Sequence, residues 1–284
     1  PAFWWSEIGM FKARLISGIV LVVVLAAALI MGDLVLWALL LFISLVGLQE
    51  FYHAVRKKDE ESGTSRMTEA VGYAGCICYY LIMIMQSREQ YLFLTLIMIL
   101  TVMMFVYVFS YPAIDSTQLM TSYFGVIYVP VMLSFIYLTR RYTDGIFLVW
   151  LIFISSWVCD TCAYCVGMLI GKHKLAPKLS PKKSVEGAIG GVAGSALAGA
   201  LYGYVLTITA GQASPEIWSF AIIGGIGAII SQIGDLTASA IKRNHNIKDY
   251  GKLIPGHGGI LDRFDSVIVT APMIYILAVL FLSI

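Results

Sequence analysis

The chain has 284 residues, of which 59% are hydrophobic and only 13% charged, with formal net charge +2 and mean hydropathy +0.85. That apolar share exceeds the roughly half found in soluble globular domains, and so small a net charge excludes a nucleic-acid-binding footprint. The apolar residues gather in runs near twenty residues, the length of a helix crossing about 30 Å of hydrocarbon, so the expected fold is an all-α polytopic membrane protein.

The first methionine is Met10, and the stretch before it carries Trp4 and Trp5. Residues 1–9 read either as an appended segment or as a membrane-interface belt. The apolar run after Lys12 and Arg14 reads as a retained span. Nine spans follow in chain order, at 15–31, 34–49, 70–85, 91–109, 123–138, 145–170, 188–210, 217–241 and 266–284. Gly32-Asp33 alone joins the first two, a tight-turn signal. The chain divides into an N-terminal segment 1–14, membrane helices 15–144, and a C-terminal part 145–284 that holds every candidate site residue.

Basic residues set the expected orientation. With a cytoplasmic N-terminus and nine spans, all Lys and Arg except Arg88, Arg140 and Arg141 face the cytoplasm, sixteen of nineteen. Two polar loops, 171–187 and 242–265, then share the cytoplasmic side.

Within the spans, Asp160 lies twelve residues before Lys172 and Asp235 eight before Arg243, roughly 18 and 12 Å deep on continuous helices. An acid at such depth costs at least about 2.5 kcal/mol unless it faces a polar cavity or a partner. The bland reading is a buried ion pair or a hydrogen bond to a neighbouring helix. The run "GAIGGVAGSALAGALYG" from Gly187 repeats glycine at four-residue spacing, which is read as close helix packing and given no chemistry.

The loop "KDYGKLIPGHGGILDRFD", 248–265, concentrates charge, glycine and histidine in this apolar chain. Asp249, Asp262 and Asp265 lie in it, and the last two, three residues apart, share a face on a helix. Converging with Asp235, they offer oxygen ligands to Mg²⁺, which takes one or two carboxylates plus substrate phosphates. Lys242, Arg243, Lys248, Lys252, Arg263 and His257 are candidate phosphate clamps. Gly256, Gly258 and Gly259 let backbone N–H groups approach an anion. The other loop carries Lys172, Lys174, Lys178, Lys182 and Lys183; anionic headgroups alone explain such a run equally well. Cys159, Cys162 and Cys165 have CxxCxxC spacing but sit within a span, so they are read as packing residues with no metal or disulfide expected.

The stretch "SAIKRNHNIKDYGKLIPGHGGILDRFD", 239–265, resembles the signature of the phosphatidate cytidylyltransferases, also called CDP-diacylglycerol synthases. Ser239, Lys242-Arg243, Lys248-Asp249, the Pro, His257-Gly258-Gly259 and Asp262-Arg263-x-Asp265 all fall at the family's spacing. "DTCAYCVG…GKHKLAPKLSPKKSVEG", 160–187, is also similar, with Met168 where a basic residue is frequent and Ser184 where Thr is usual. The resemblance implies that CTP and phosphatidic acid give CDP-diacylglycerol and pyrophosphate, with Mg²⁺ and a second cation such as K⁺. It further implies a homodimer in the lipid bilayer and a polar cytoplasm-facing cavity, and by motif transfer Asp235, Asp262 and Asp265 form the metal site. A bacterial inner-membrane address is expected because nothing resembles an organelle transit peptide. Read on their own chemistry, Lys248 and Asp249 are also expected to be catalytic, and Asp160, Lys182, Ser239, Lys242, Arg243, His257, Gly258, Gly259 and Arg263 to bind substrate. Two alternatives stay open: a CTP-dependent transferase acting on another lipid, such as an ether lipid or a prenol, and an ion-coupled secondary transporter. Against the transporter, no matching pair of interrupted spans is present in two halves.

Overall fold

The computed structural model describes residues 2–56, 66–85, 89–210, 217–253 and 258–282. It is an all-α polytopic membrane protein. Among the described residues, eight helices are long and apolar enough to cross a membrane, and the shorter apolar segment Ile16–Met31 joins them. The chain forms two units, one made of residues 1–134 and 247–263, the other of residues 135–246 and 264–284.

The first unit begins with α1 (Ala2–Met31) and α2 (Asp33–Val55), separated by Gly32. Gly32 takes φ 67° there, a left-handed value that glycine adopts without steric cost. Helix α2 buries Leu36, Leu40, Ile43, Ser44, Gly47, Leu48, Phe51 and Tyr52, the three-four spacing of one helical face. That face packs on α3 (Arg66–Met85), α5 (Ser116–Val126) and the π-helical turn Ile127–Val131. Where hydrocarbon gives apolar faces no drive to associate, hydrogen bonds and close packing hold helices together. Trp37 Nε1 donates to the Tyr80 carbonyl at 2.7 Å, and the Ser44 and Tyr80 hydroxyls lie 2.7 Å apart. The Tyr52 hydroxyl donates to the Ser122 carbonyl at 2.8 Å, and Ser122 Oγ donates to Thr68 Oγ1 at 2.9 Å. Arg56 grips Glu69 through two nitrogens at the end of α2. Helix α4 (Glu89–Phe109) packs along α3, with Ile99 filling the space that Gly75 leaves open.

Helix α5 starts seven residues earlier than the apolar pattern suggests. Its first turn is polar, and Gln118 reaches back to accept the Asp115 N–H at 3.2 Å, so a capping residue fixes the start where hydropathy is silent. Helix α6 (Met132–Arg141) completes this span.

The second unit takes up α6 from Phe135 and continues through α7 (Gly145–Phe153), a π-helical turn at Ile154–Val158, and α8 (Cys159–Ile170). The polar loop that follows is not irregular throughout. It folds as an antiparallel hairpin, β1 (Lys174–Ala176) with β2 (Ser180–Ser184), and leads into α9 (Val185–Ala210) and α10 (Ile217–Asn244). The last helix, α11 (Leu261–Phe281), lies in this unit from Phe264 onward. The glycines of α9 pack as expected. A side chain at Gly190 would strike Val166, at Gly191 Cys159, and at Gly194 Cys162, all on α8. At Gly199 it would strike the Phe220 carbonyl of α10. Two cysteines of the CxxCxxC stretch are thus packing partners of glycine, and all five cysteines are free thiols.

Candidate active site

The second unit contains a cavity of about 350 Å³. It is lined by the polar residues Asp160, Lys182, Lys183, Ser184, Gln232 and Asp235 and by the apolar Ala163, Tyr164, Met168 and Leu175. Local structure explains how each polar group arrives there. Asp160 stands in the first turn of α8, directly after the π-helical turn, a device that re-aims side chains and recurs at functional sites. Lys182 and Lys183 are adjacent on β2, where the register against β1 shifts, and both line the cavity. Lys182 is exposed, whereas Lys183 is half-buried and forms an ion pair with Asp235 of α10. Gln232, one turn before Asp235, donates from Nε2 to the Ala188 carbonyl at 3.0 Å and so ties α10 to α9.

Around Asp235 the groups are mostly charged. Asp160 and Asp265 each feel the Asp235 carboxylate, and Asp265 also feels Asp160. Ser239 Oγ reaches Asp235 at 3.5 Å, and the Ser266 hydroxyl hydrogen-bonds Asp160. The Lys242 ammonium stands 4.0 Å from Asp265. Three carboxylates therefore stand with two ammonium groups, Lys183 and Lys242, in a cluster of oxygen donors. That donor set suits a hard divalent cation. Among the described residues no three acid, His or Cys side chains converge closely enough to enclose a metal by themselves. Mg²⁺ does not need such a cage, because one or two carboxylates plus phosphate oxygens suffice.

In the first unit the structure uses the glycine loop differently. Asp262 is buried, and one of its oxygens, Oδ2, accepts the Tyr250 N–H at 2.8 Å and the Gly259 N–H at 3.0 Å. Gly258 has φ +89°, and a Cβ there would lie 2.9 Å from the same oxygen. Glu50, from the end of α2, reaches the same loop. Its Oε1 accepts the Ile260 N–H at 3.0 Å and its Oε2 the Leu261 N–H at 2.8 Å. Lys248, Asp249 and Lys252 are exposed on the strand of chain leading into this loop, and Arg243 is exposed at the end of α10. Arg263 has its Nε buried with no hydrogen-bond partner among the described residues. His257 and Gly256 lie outside the described residues.

Of the residues expected from sequence, Asp160, Lys182 and Asp235 line one cavity, with Asp265, Ser239 and Lys242 gathered around Asp235. Gly258 and Gly259 belong to the loop of the first unit, and Asp262, in the first turn of α11, holds it. Three participants escaped the sequence reading as site residues. Lys183 is one of five lysines in a basic run, and only its ion pair with Asp235 singles it out. Gln232 looked like one polar residue in an apolar span. Glu50 fell one residue past the expected end of its span, where an acid costs nothing and draws no notice.

Comparison with known proteins agrees with these features. The Cytidylyltransferase family profile matches residues 12–281. A phosphatidate cytidylyltransferase of Staphylococcus haemolyticus is 30% identical over 273 residues, covering 94% of this chain and 99% of that protein. Phosphatidate cytidylyltransferases of Staphylococcus aureus (strain COL) and Staphylococcus epidermidis (strain ATCC 35984) are 30% and 29% identical with the same coverage. Matched along nearly its whole length, the chain belongs to the cytidylyltransferase family and is a nucleotidyltransferase.

Proposed function

We propose that the protein transfers the cytidylyl group of CTP to phosphatidic acid, forming CDP-diacylglycerol and releasing pyrophosphate. The observation that carries this reading is the mixed lining of the second unit's cavity, where lysines and carboxylates share one space with Tyr164, Met168 and Leu175. Such a lining suits an anion attached to acyl chains and a water-soluble nucleotide meeting at one place. The names of the staphylococcal relatives support the same substrate.

In this reading an oxygen of the lipid phosphate attacks the α-phosphorus of CTP. The bond from that phosphorus to the bridging oxygen breaks, and its electron pair leaves with pyrophosphate. The lipid phosphate is already an anion, so a general base has little to do. What the protein must supply is close approach of two anions and stabilisation of charge on the leaving group. Lys183 and Lys182 neutralise incoming phosphate oxygens from β2, and Lys242 does so from α10. Asp235 and Asp265 are the carboxylates that would hold Mg²⁺, with Asp160 and Ser239 beside them. When bound, that ion neutralises phosphate oxygens and the leaving pyrophosphate. Asp262, with one oxygen already committed to two backbone amides, orders the loop that carries Arg263 and the glycines. The cavity opens to the cytoplasm of a bacterial inner membrane, where CTP is made.

The test is purified protein in mixed micelles with α-labelled CTP and Mg²⁺, offered phosphatidate, an ether-lipid phosphate and a prenol side by side. Label entering lipid only with phosphatidate, with equal release of pyrophosphate, supports the proposal. Label entering a different acceptor reassigns the substrate. Folded protein that labels no acceptor overturns the reading.

A further inference from the structure

We infer that Glu50, some two hundred residues upstream of the glycine loop, is a positioning residue that sets the loop's conformation for catalysis. The inference rests on the proposed transfer reaction for its kinetic arm only. Four facts carry it. Glu50 is buried, 8% exposed. Its two oxygens take two successive backbone amides, Ile260 and Leu261, at the start of α11. These are amides that no helical carbonyl can serve, and a negative charge is favoured at that end of a helix. Finally, the Glu50 carboxylate fills the space of the side chains that Gly251 and Gly259 lack, with its Cδ 2.6 and 2.5 Å from the Cβ positions.

The last fact assigns a reason to two glycines of the loop. Gly251 takes no left-handed φ, so its value lies in leaving room for Glu50. Gly259 leaves the same room and also gives its own N–H to Asp262. Glu50 and Asp262 between them hold the amides of Tyr250, Gly259, Ile260 and Leu261. The loop is thus pinned from both sides of the glycine run, and Arg263 follows directly from the pinned turn.

Glutamine at position 50 offers one acceptor where two are used, and its NH₂ group would face a backbone N–H. The loop then loses its anchor while the helix packing of α2 stays. The experiment compares wild type, Glu50→Gln, Glu50→Asp, Gly251→Ala and the Glu50→Asp/Gly251→Ala pair, all purified in micelles. One readout is limited trypsin cleavage after Lys248 and Lys252, which are exposed beside the loop, with cleavage after Lys172 and Lys174 as internal control. The other is cytidylyl transfer, read as separate kcat and KM for CTP.

The expected result for Glu50→Gln is cleavage at Lys248 and Lys252 faster by about 10-fold with the control sites unchanged. Its kcat falls by about 10-fold or more while KM changes by less than about 3-fold, as expected when orientation and not binding is lost. Gly251→Ala and Glu50→Asp each lower kcat. The pair recovers at least about 5-fold over the product of the two, because the shorter acid makes room for the new methyl. Glu50→Gln with wild-type cleavage and wild-type kcat overturns the inference. If that variant does not fold, the pair decides: strictly multiplicative losses overturn it. If wild type itself transfers nothing, the substrate reading has failed, and the trypsin pattern still tests the anchor.

Discussion

Lys183 of strand β2 and Asp235 of helix α10 form an ion pair in the cavity of the second unit. Both side chains keep about a quarter of their surface exposed, 27% and 25%. On Lys183 the exposure lies along the stem, because its ammonium nitrogen is itself buried beside Asp235, so the pair fixes a charge inside the cavity. Its neighbour Lys182 lines the same cavity but is exposed.

The two lysines should therefore separate in a kinetic assay. Lys183→Met is expected to lower kcat/KM by about 10²-fold, the scale for losing one fixed charge-stabilising group. Lys182→Met should lose about 10-fold or less, mostly in KM. Thermal unfolding of Lys182→Met should match wild type within a few degrees, whereas Lys183→Met, which leaves the carboxylates less offset, should unfold at lower temperature. Equal losses at the two positions would mean that the ion pair with Asp235 does not set Lys183 apart.

The carboxylates lead to a second prediction. Asp235 and Asp265 repel each other across the site, and Lys183 and Lys242 only partly offset them. Asp265→Asn relieves that repulsion, so the variant should be at least as resistant to thermal unfolding as wild type while losing about 10²-fold or more in kcat. Its Mg²⁺ titration should shift to higher concentration. A variant that is both active and unshifted in Mg²⁺ dependence rules Asp265 out as a ligand.

Much of this arrangement was legible in the sequence, and the part that was not has a physical reason. Helices announce themselves by apolar length, so the spans were readable, and the depth of Asp160 and Asp235 followed from a rise of about 1.5 Å per residue. Polar first turns carry no hydropathy signal, which is why α5 begins at Ser116 and α11 at Leu261, ahead of their apolar runs. The start of α11 places Asp262 and Asp265 inside a helix and not on a loop. The hairpin of β1 and β2 was invisible because a five-residue strand reading Ser-Pro-Lys-Lys-Ser has neither β-branched residues nor apolar alternation. Glu50 was hidden for another reason: its partners are backbone amides, and backbone carries no sequence signature.

Asp262 and Glu50 give opposite expectations for the same chemical change. The Tyr250 and Gly259 amides end on one oxygen of Asp262, Oδ2, so asparagine can keep these two through its carbonyl. Asp262→Asn should cost about 1 kcal/mol or less in stability, whereas Asp262→Ala strands two buried N–H groups at about 1–3 kcal/mol each. Denaturation in mixed micelles measures both. If Asp262→Asn is stable but inactive, its charge serves the reaction beyond ordering the loop; if it is stable and active, ordering is its whole role.

Helix packing supplies the last prediction. Gly199 of α9 meets the Phe220 carbonyl of α10 so closely that an added Cβ would overlap it, and Gly224 presses likewise on the Ser195 carbonyl, with its Cβ position at 2.6 Å. Backbone cannot yield as a flexible side chain does, so α9 and α10 must separate to admit even alanine. Separation would also strain the Gln232 hydrogen bond to Ala188 and move Asp235 away from Lys183. Gly199→Val should therefore lower both the yield of folded protein and, in what folds, the transfer rate, while Gly225→Ala should be tolerated, since its nearest neighbour would be an ordinary 3.5 Å away. Expression in membranes followed by size-exclusion chromatography and the labelled-CTP assay checks the pair. Comparable behaviour of the two variants would mean that close contact between α9 and α10 does not hold the cavity's charged residues in register.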